Sequence, residues 1–318
     1  MILYDLDAQS LTPDQASLAR VLEEGPRVPV LAHLYGVPVD VVRVARQAAA
    51  NGTVVLEDAA QGIGAMLRGQ PVGSFGSAAV LSFGRGKGLT GGSGGALLAN
   101  DQLGEALLEE AGSSLEGARA GWPDLGRACA QWIFGRPAIY ALPAALPFLR
   151  LGQTVFRTPE PPRTLSRAAA NMIFRNWKSA FTSVSRRRAL AARLISAARG
   201  NRAWRTLSLQ PETVPGYLRL PLLAENNARE VLLSRKAVKL GIAPGYPLPL
   251  VRLPGFAQHC VNADEAFPGA DLLAERLFTL PTHERLSDRD VSGLQRWLAD
   301  AGHSQLARKR DKVVAGEI

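Results

Sequence analysis

The chain is poor in the residues that build metal centres and covalent cross-links. It has 2 cysteines and 4 histidines in 318 residues. Cys129 and Cys260 stand alone and supply neither a disulfide framework nor metal-ligand spacing, which fits a reducing, cytoplasmic setting. His33, His259, His283 and His303 form no HxH or HxxxH pair, which argues against a zinc site. Aromatic residues are 6% of the chain, and few lie near the basic clusters, so the stacking platforms of a nucleic-acid binder are missing. An unbroken apolar run of membrane-spanning length is missing too. The most apolar segment, Ala130 to Leu151, is interrupted by Arg136, Pro137, Pro143, Pro147 and Arg150, which a bilayer-spanning helix would tolerate poorly. The opening Met1-Ile2-Leu3-Tyr4-Asp5 turns acidic at once and lacks the basic region of a signal peptide.

What is present describes a globular protein. Apolar residues make up 47% and charged residues 20%, enough to bury a full core in two domains. The net charge of +9 permits attraction to acidic partners. Apart from Arg186-Arg187-Arg188 and Arg308-Lys309-Arg310, the positive residues are scattered. That distribution reads as solvated faces, not a nucleic-acid footprint.

Lysine is scarce where arginine is plentiful. Lys87 is the only lysine before Lys178, and it sits in Ala78 to Asp101, AAVLSFGRGKGLTGGSGGALLAND. Arginine cannot release its proton or condense with a carbonyl, whereas a desolvated lysine becomes nucleophilic. A solvated loop lysine is the alternative reading. The stretch predicts a strand over Ala78 to Phe83, a glycine-dense loop, and a second strand over Ala96 to Ala99. Gly86-Lys87-Gly88-Leu89-Thr90-Gly91 formally matches GxGxxG, but its glycines lead into a strand where a dinucleotide fingerprint must open a helix. The lysine is followed by glycine, so a phosphate-binding P-loop is excluded as well.

Earlier in the chain, MILYDLD predicts a strand, Thr12-Pro13-Asp14 a helix start, Val28 to Ala32 a strand, and Val39 to Ala50 a helix stopped by Asn51-Gly52. Thr53 to Leu56 predicts a buried strand ending in Glu57-Asp58. Near-continuous apolar strands alternating with helices imply a parallel sheet whose ligands lie beyond the carboxyl ends of its strands. Asp58 and the Ser82 to Lys87 loop both fall at such ends. Further on, Asp101 to Glu110 reads as a helix, Gly112 to Gly126 as a loop and Pro159 to Pro162 as a stiff linker. A long helix follows from Ser166 to about Arg199. Tyr217 to Leu222 alternates like a strand, and Ala228 to Leu240 and Ala270 to Phe278 have helical spacing. A last helix runs from Ser287 or Asp288 to Ala301, where Ser287 and Asp290 form a near capping box. The expected division is 1–162, 163–302 and a basic tail over 303–318.

Taken together, Leu34-Tyr35-Gly36, Glu57-Asp58-Ala59-Ala60-Gln61, Gly73-Ser74-Phe75-Gly76, Ser82-Phe83, Lys87 and the glycine run to Gly95 resemble the DegT/StrS-type sugar aminotransferases, a pyridoxal phosphate (PLP) family. Pro247-Leu248-Pro249, Phe267-Pro268-Gly269-Ala270 and Leu280-Pro281-Thr282-His283 are similar to that family's closing pattern. The resemblance implies an α/β fold, PLP transferase fold type I: a truncated large domain with a mainly parallel sheet, plus a smaller C-terminal α/β domain. It implies PLP as cofactor, attached to Lys87, with Asp58 against the pyridine nitrogen, Gln61 on the ring's 3-oxygen and Ser82 on the phosphate. Read singly, Asp58 has a helix cap as its lesser alternative, and Gln61 and Ser82 could equally make ordinary turn hydrogen bonds. His33 and Tyr35 read as packing residues. The implied reaction moves an amino group, with glutamate as donor, to a nucleotide-linked keto-sugar for amino-sugar or polysaccharide biosynthesis. The implied assembly is a homodimer, with no nucleic acid and no membrane span.

Three departures from the family pattern stand out. The chain begins where a full-length member is already within its large domain, and the usual Gly-x-Asn-x-Arg segment is not recognisable near Trp132 to Thr158. The family's closing-run glutamate appears as Ser93. These features leave a truncated, non-catalytic member, or a subunit paired with a chain supplying the missing segment, as the alternative expectation.

Overall fold

The computed structural model describes residues 1–25, 28–49, 53–84, 86–118, 120–134, 154, 156, 158–225, 232 and 234–300. The 303–318 tail, the Asn51-Gly52 stop and most of the Trp132 to Thr158 stretch lie outside these residues.

A four-stranded sheet positions the site. β3 (Val30–Ala32), β4 (Leu56–Asp58), β7 (Ala78–Ser82) and β8 (Gly95–Ala99) pair in the order β3-β4-β7-β8. The first three are parallel and the last is antiparallel to β7, so the sheet is mainly parallel. One edge therefore collects the carboxyl ends of β3, β4 and β7. Ahead of the sheet lie the short pair β1 (Leu6–Asp7) and β2 (Thr12–Pro13) and helix α1 (Gln15–Glu23). Asp14 caps α1 by accepting the Ser17 amide at 2.8 Å, as the Thr-Pro-Asp start predicts. Helices α1 and α2 (Val41–Ala49) pack Leu18, Leu22, Val41, Val44 and Ala48 with Leu31 and Val55. Each such side chain contributes roughly 1.5–3 kcal/mol on burial.

A second sheet, β12 (Ala243–Pro244), β13 (Leu277–Pro281), β11 (Arg219–Ala224) and β9 (Trp204–Thr206), is antiparallel throughout. Its core is the chain's aromatic centre: Trp204 stacks on Trp297 at 5.2 Å and tilts against Phe278 at 4.9 Å. Leu194, Leu220, Leu280 and Leu294 close around them. A small sheet joins distant parts of the chain, since β5 (Met66–Leu67) pairs both with β6 (Gln70–Pro71) and with β10 (Thr213–Val214).

The other helices are α3 (Gln102–Ser113), α4 (Trp122–Phe134), α5 (Arg167–Ala198), α6 (Arg235–Lys239), α7 (Pro268–Arg276) and α8 over 288–300. The long helix starts where predicted: the Ser166 hydroxyl accepts the Ala169 amide at 3.1 Å. At α8 the near capping box is reciprocal, with Ser287 N–H donating to Asp290 at 2.9 Å and Asp290 N–H to Ser287 at 3.2 Å. Two expectations are corrected. Gly112 to Gly126 is not a continuous loop, because α4 begins at Trp122 with Pro123 in its first turn, where a missing N–H costs nothing. Ala270 to Phe278 is not one helix: α7 ends at Arg276, and Leu277–Pro281 pairs in full register with β11.

Candidate active site

The sheet edge is organised by a carboxylate to which the sequence pattern gave no role. Glu57 has 0% exposure, a position a carboxylate tolerates only when fully hydrogen-bonded. It accepts from His33 Nε2 at 2.9 Å and the Gly73 amide at 2.7 Å through Oε2, and from the Phe75 and Gly76 amides at 2.6 and 2.7 Å through Oε1. Burial pushes its carboxyl up, but the His33 hydrogen bond and the Gly76 and Gly73 amides outweigh it and hold Glu57 below the usual range. His33 Nδ1 faces the Val39 N–H at 3.1 Å, so that nitrogen carries no proton and Nε2 is the donor to Glu57. His33 thus packs and positions, as expected. The signal available in the sequence was a glutamate inside an apolar strand, Val54-Val55-Leu56-Glu57.

Asp58 follows Glu57 at the end of β4, half-buried. Its carbonyl accepts the His33 amide at 3.1 Å, and Oδ1 accepts the Ala60 amide at 3.0 Å. Among the described residues the expected helix-cap alternative reduces to this one turn bond, and the second oxygen has no hydrogen-bond partner there. The carboxylate acts on two neighbours. Burial, then the charge of Asp58, push the Tyr4 phenol up to about 12, so its O–H stays on and donates to the Val30 carbonyl at 2.8 Å. At Lys87 the two effects oppose: burial lowers the amine, Asp58 raises it, and burial prevails. Lys87 and Asp58 are thus brought within electrostatic reach of each other from successive parallel strands.

Lys87 lies on a loop closed at both ends by β7 and β8, where Ser82 and Gly95 are register partners. Its own amide reaches the Gly84 carbonyl at 3.3 Å, and the Gly91 amide the Phe83 carbonyl at 2.9 Å. Ser82 is half-buried, and its Oγ accepts the Gly84 amide at 3.4 Å, which leaves its O–H to donate elsewhere. Gln61 is held at both ends of its amide: Oε1 accepts the Tyr35 N–H, and Nε2 donates to the Tyr246 hydroxyl, both at 3.0 Å. Tyr35 adopts φ +57°, a strained value for a bulky residue. It is fixed there by Gln61 and by the Leu218 amide on its carbonyl at 2.9 Å. Tyr246, which sequence reasoning did not single out, carries this network onto the loop after β12.

The glycine run is anchored by a second unforeseen carboxylate. Asp124 of α4 is 6% exposed and accepts from Ser93 and Ser166 hydroxyls at 2.5 Å each and from Arg127 at 3.1 Å. Burial pushes Asp124 up, but Ser166, Ser93 and Arg127 hold it below the usual range. Ser93, in place of the family's glutamate, is thereby tied to the start of α5. Among the described residues no group of three or more His, Cys, Asp or Glu side chains could hold a metal ion, and no helix is long and apolar enough to cross a membrane.

This fold recurs among solved structures. The sugar aminotransferase CalS13 from Micromonospora echinospora superimposes with a TM-score of 0.70 at 23% identity, covering 94% of this chain and 74% of that one. The matched architecture is that of the PLP-dependent sugar aminotransferases. The DegT/DnrJ/EryC1/StrS aminotransferase family matches residues 1–112 and 164–296, and the chain belongs to it. Curated relatives align over shorter stretches. A pleiotropic regulatory protein of Geobacillus stearothermophilus is 38% identical over 101 residues, 31% of this chain and 27% of that protein. An L-glutamine:2-deoxy-scyllo-inosose aminotransferase of Streptomyces kanamyceticus is 33% identical over 102 residues, 32% of this chain and 24% of the relative. A GDP-perosamine synthase of Caulobacter vibrioides is 34% identical over 100 residues, 31% and 27% of the two chains. The chain thus spans about a quarter of the length of these three relatives.

Proposed function

We propose that the chain is a PLP-dependent aminotransferase that delivers an amino group to the ketone carbon of a nucleotide-linked sugar. The observation that carries this reading is the placement of Lys87 and Asp58 at one sheet edge: Asp58 ends β4, the lysine loop leaves the neighbouring parallel strand β7, and burial together with that carboxylate acts on the half-buried amine. That donor set fits PLP. Bound there, the cofactor supplies an aldehyde for covalent attachment and a protonated ring that accepts the electron pair released at the substrate carbon.

Each residue then has a defined task. Lys87 Nζ would hold the cofactor covalently, and as a free amine it would carry a proton between the substrate carbon and the acceptor. The Asp58 carboxylate would hold a proton on the ring nitrogen. Gln61, oriented by Tyr35 and Tyr246, would donate from Nε2 to the ring's 3-oxygen. The Ser82 O–H would donate to the phosphate. The nucleotide-sugar acceptor draws support from relatives such as GDP-perosamine synthase, and glutamate is the proposed amino donor. A homodimer, a cytoplasmic setting and a division near residue 162 complete the reading.

The test is covalent. Protein mixed with PLP should develop a visible absorption band, and borohydride should fix the cofactor to the peptide containing Lys87; Lys87→Arg should show neither. Well-folded protein that gives no band and no labelled Lys87 peptide overturns the reading.

A further inference from the structure

The buried stripe of α5 runs Ala180, Val184, Arg187, Ala191, Leu194, Ala198, steps of four and three that keep one helix face turned inward. Five of these positions hold small or apolar side chains, and the sixth is an arginine that is 3% exposed. Its neighbours in the Arg186–Arg188 triplet are accounted for. Arg186 is two-thirds exposed and lies 3.8 Å from Glu284. Arg188 donates to the Pro215 carbonyl at 2.9 Å and to the Gly64 carbonyl. Arg187, by contrast, has no hydrogen-bond partner for Nε or Nη2 among the described residues. The reading of the whole triplet as a solvated face therefore fails at Arg187.

An arginine cannot shed its proton to escape such a place. Burial lowers it and the charge of Glu284 favours it, but that carboxylate makes no ion pair with it among the described residues. A buried cation with two unspent donors is costly unless something else satisfies it. Nε–H and the adjacent Nη2–H point the same way, forming the two-pronged edge that matches a planar oxyanion. The guanidinium also lies against the lysine loop. A Cβ added to Gly88 would sit 3.2 Å from Nη2 and 3.0 Å from Ile63 Cβ, so the arginine packs closely on the residue after Lys87.

We propose that Arg187 is an oxyanion receptor beside Lys87, taking the carboxylate or phosphoryl group of a molecule that reacts there. The proposal rests on the aminotransferase reading for which molecules those are: a carboxylate points to the amino donor, a phosphoryl group to the nucleotide-linked acceptor or the cofactor. Glutarate and inorganic pyrophosphate are the probes, titrated calorimetrically into the full chain and into Arg187→Met and Arg187→Lys. Arg187→Met should bind one probe about 10- to 100-fold more weakly and melt no lower than the wild type, since it removes an unpaired buried charge. Arg187→Lys, which keeps the charge without the fork, should fall between the two and serves alone if the methionine variant does not fold. Loss confined to glutarate assigns the carboxylate, and loss confined to pyrophosphate the phosphoryl group. Variants that bind both probes as the wild type does, or a wild type that binds neither, overturn the proposal. Labelling of Lys87 by PLP is read on the same samples. Its absence beside Arg187-dependent anion binding would sink the aminotransferase reading and leave the receptor standing.

Discussion

Replacing Glu57 with glutamine tests whether one interior charge holds the sheet edge together. The substitution preserves shape but turns one of two accepting oxygens into a donor. Whichever way the amide rotates, two donors lose their acceptor: His33 and the Gly73 amide on one side, or the Phe75 and Gly76 amides on the other. Each buried donor left unmet costs about 1–3 kcal/mol, so Glu57→Gln should destabilise the chain by about 3 kcal/mol, within a range of roughly 2–6 kcal/mol. Thermal and urea melts followed by circular dichroism read the difference. The pH dependence gives a second check. Glu57 is held below its usual value in the folded chain, so the unfolded chain binds that proton more tightly. The stabilisation is complete above the unfolded glutamate pKa of about 4.3 and drains away as pH falls through the lower folded value. The wild-type and Glu57→Gln melting temperatures should therefore be far apart at neutral pH and converge in acid. A loss below about 1 kcal/mol at neutral pH, or a gap that widens on acidification, would refute the reasoning.

Two further substitutions probe the surroundings. Gly92→Ala should lower the melting temperature, because Gly92 has φ +82° and a Cβ there would lie 2.4 Å from the Asp124 carbonyl oxygen; the backbone strain alone costs about 1–3 kcal/mol, and an unchanged melt would contradict the described contact. Tyr246→Phe removes only the hydroxyl that accepts from Gln61, so stability should change by no more than about 1 kcal/mol. The PLP concentration that half-labels Lys87 should rise several-fold, and an unaltered half-labelling concentration would detach Tyr246 from the site.

How much of this was legible in the sequence follows from what each signal encodes. Local chemistry was readable: Ser166 opens α5, Asp14 opens α1, and Ser287 with Asp290 forms the box at α8, because a cap is decided within three residues. Lys87, Asp58, Gln61 and Ser82 were expected as a set from their order along the chain, and the parallel register puts Asp58 and Ser82 at the same sheet edge. What failed was punctuation. Gly112 to Gly126 read as a loop, yet Gly112 lies within α3, and Pro123 in the first turn and Gly126 on an exposed face do not stop α4. Leu277 and Phe278 continued the apolar spacing of α7, and a short apolar run does not say whether it is helix or strand. Glu57, Asp124 and Arg187 were missed for a different reason. Burial of a charged side chain depends on partners far away in the chain, such as His33 for Glu57 and Ser93 with Ser166 for Asp124.

The hairpin that carries Lys87 has a mechanical meaning. Because the loop leaves β7 at Ser82 and rejoins β8 at its register partner Gly95, its two feet are one strand spacing apart, and turn bonds at Phe83, Gly84 and Gly91 take up its slack. With its feet so placed, the loop keeps Lys87 beside the end of β7, and the amine's reach from there is its own methylene arm. A nucleophile held so near a bound carbonyl would be presented to it at an effective concentration far above that of a free amine in solution.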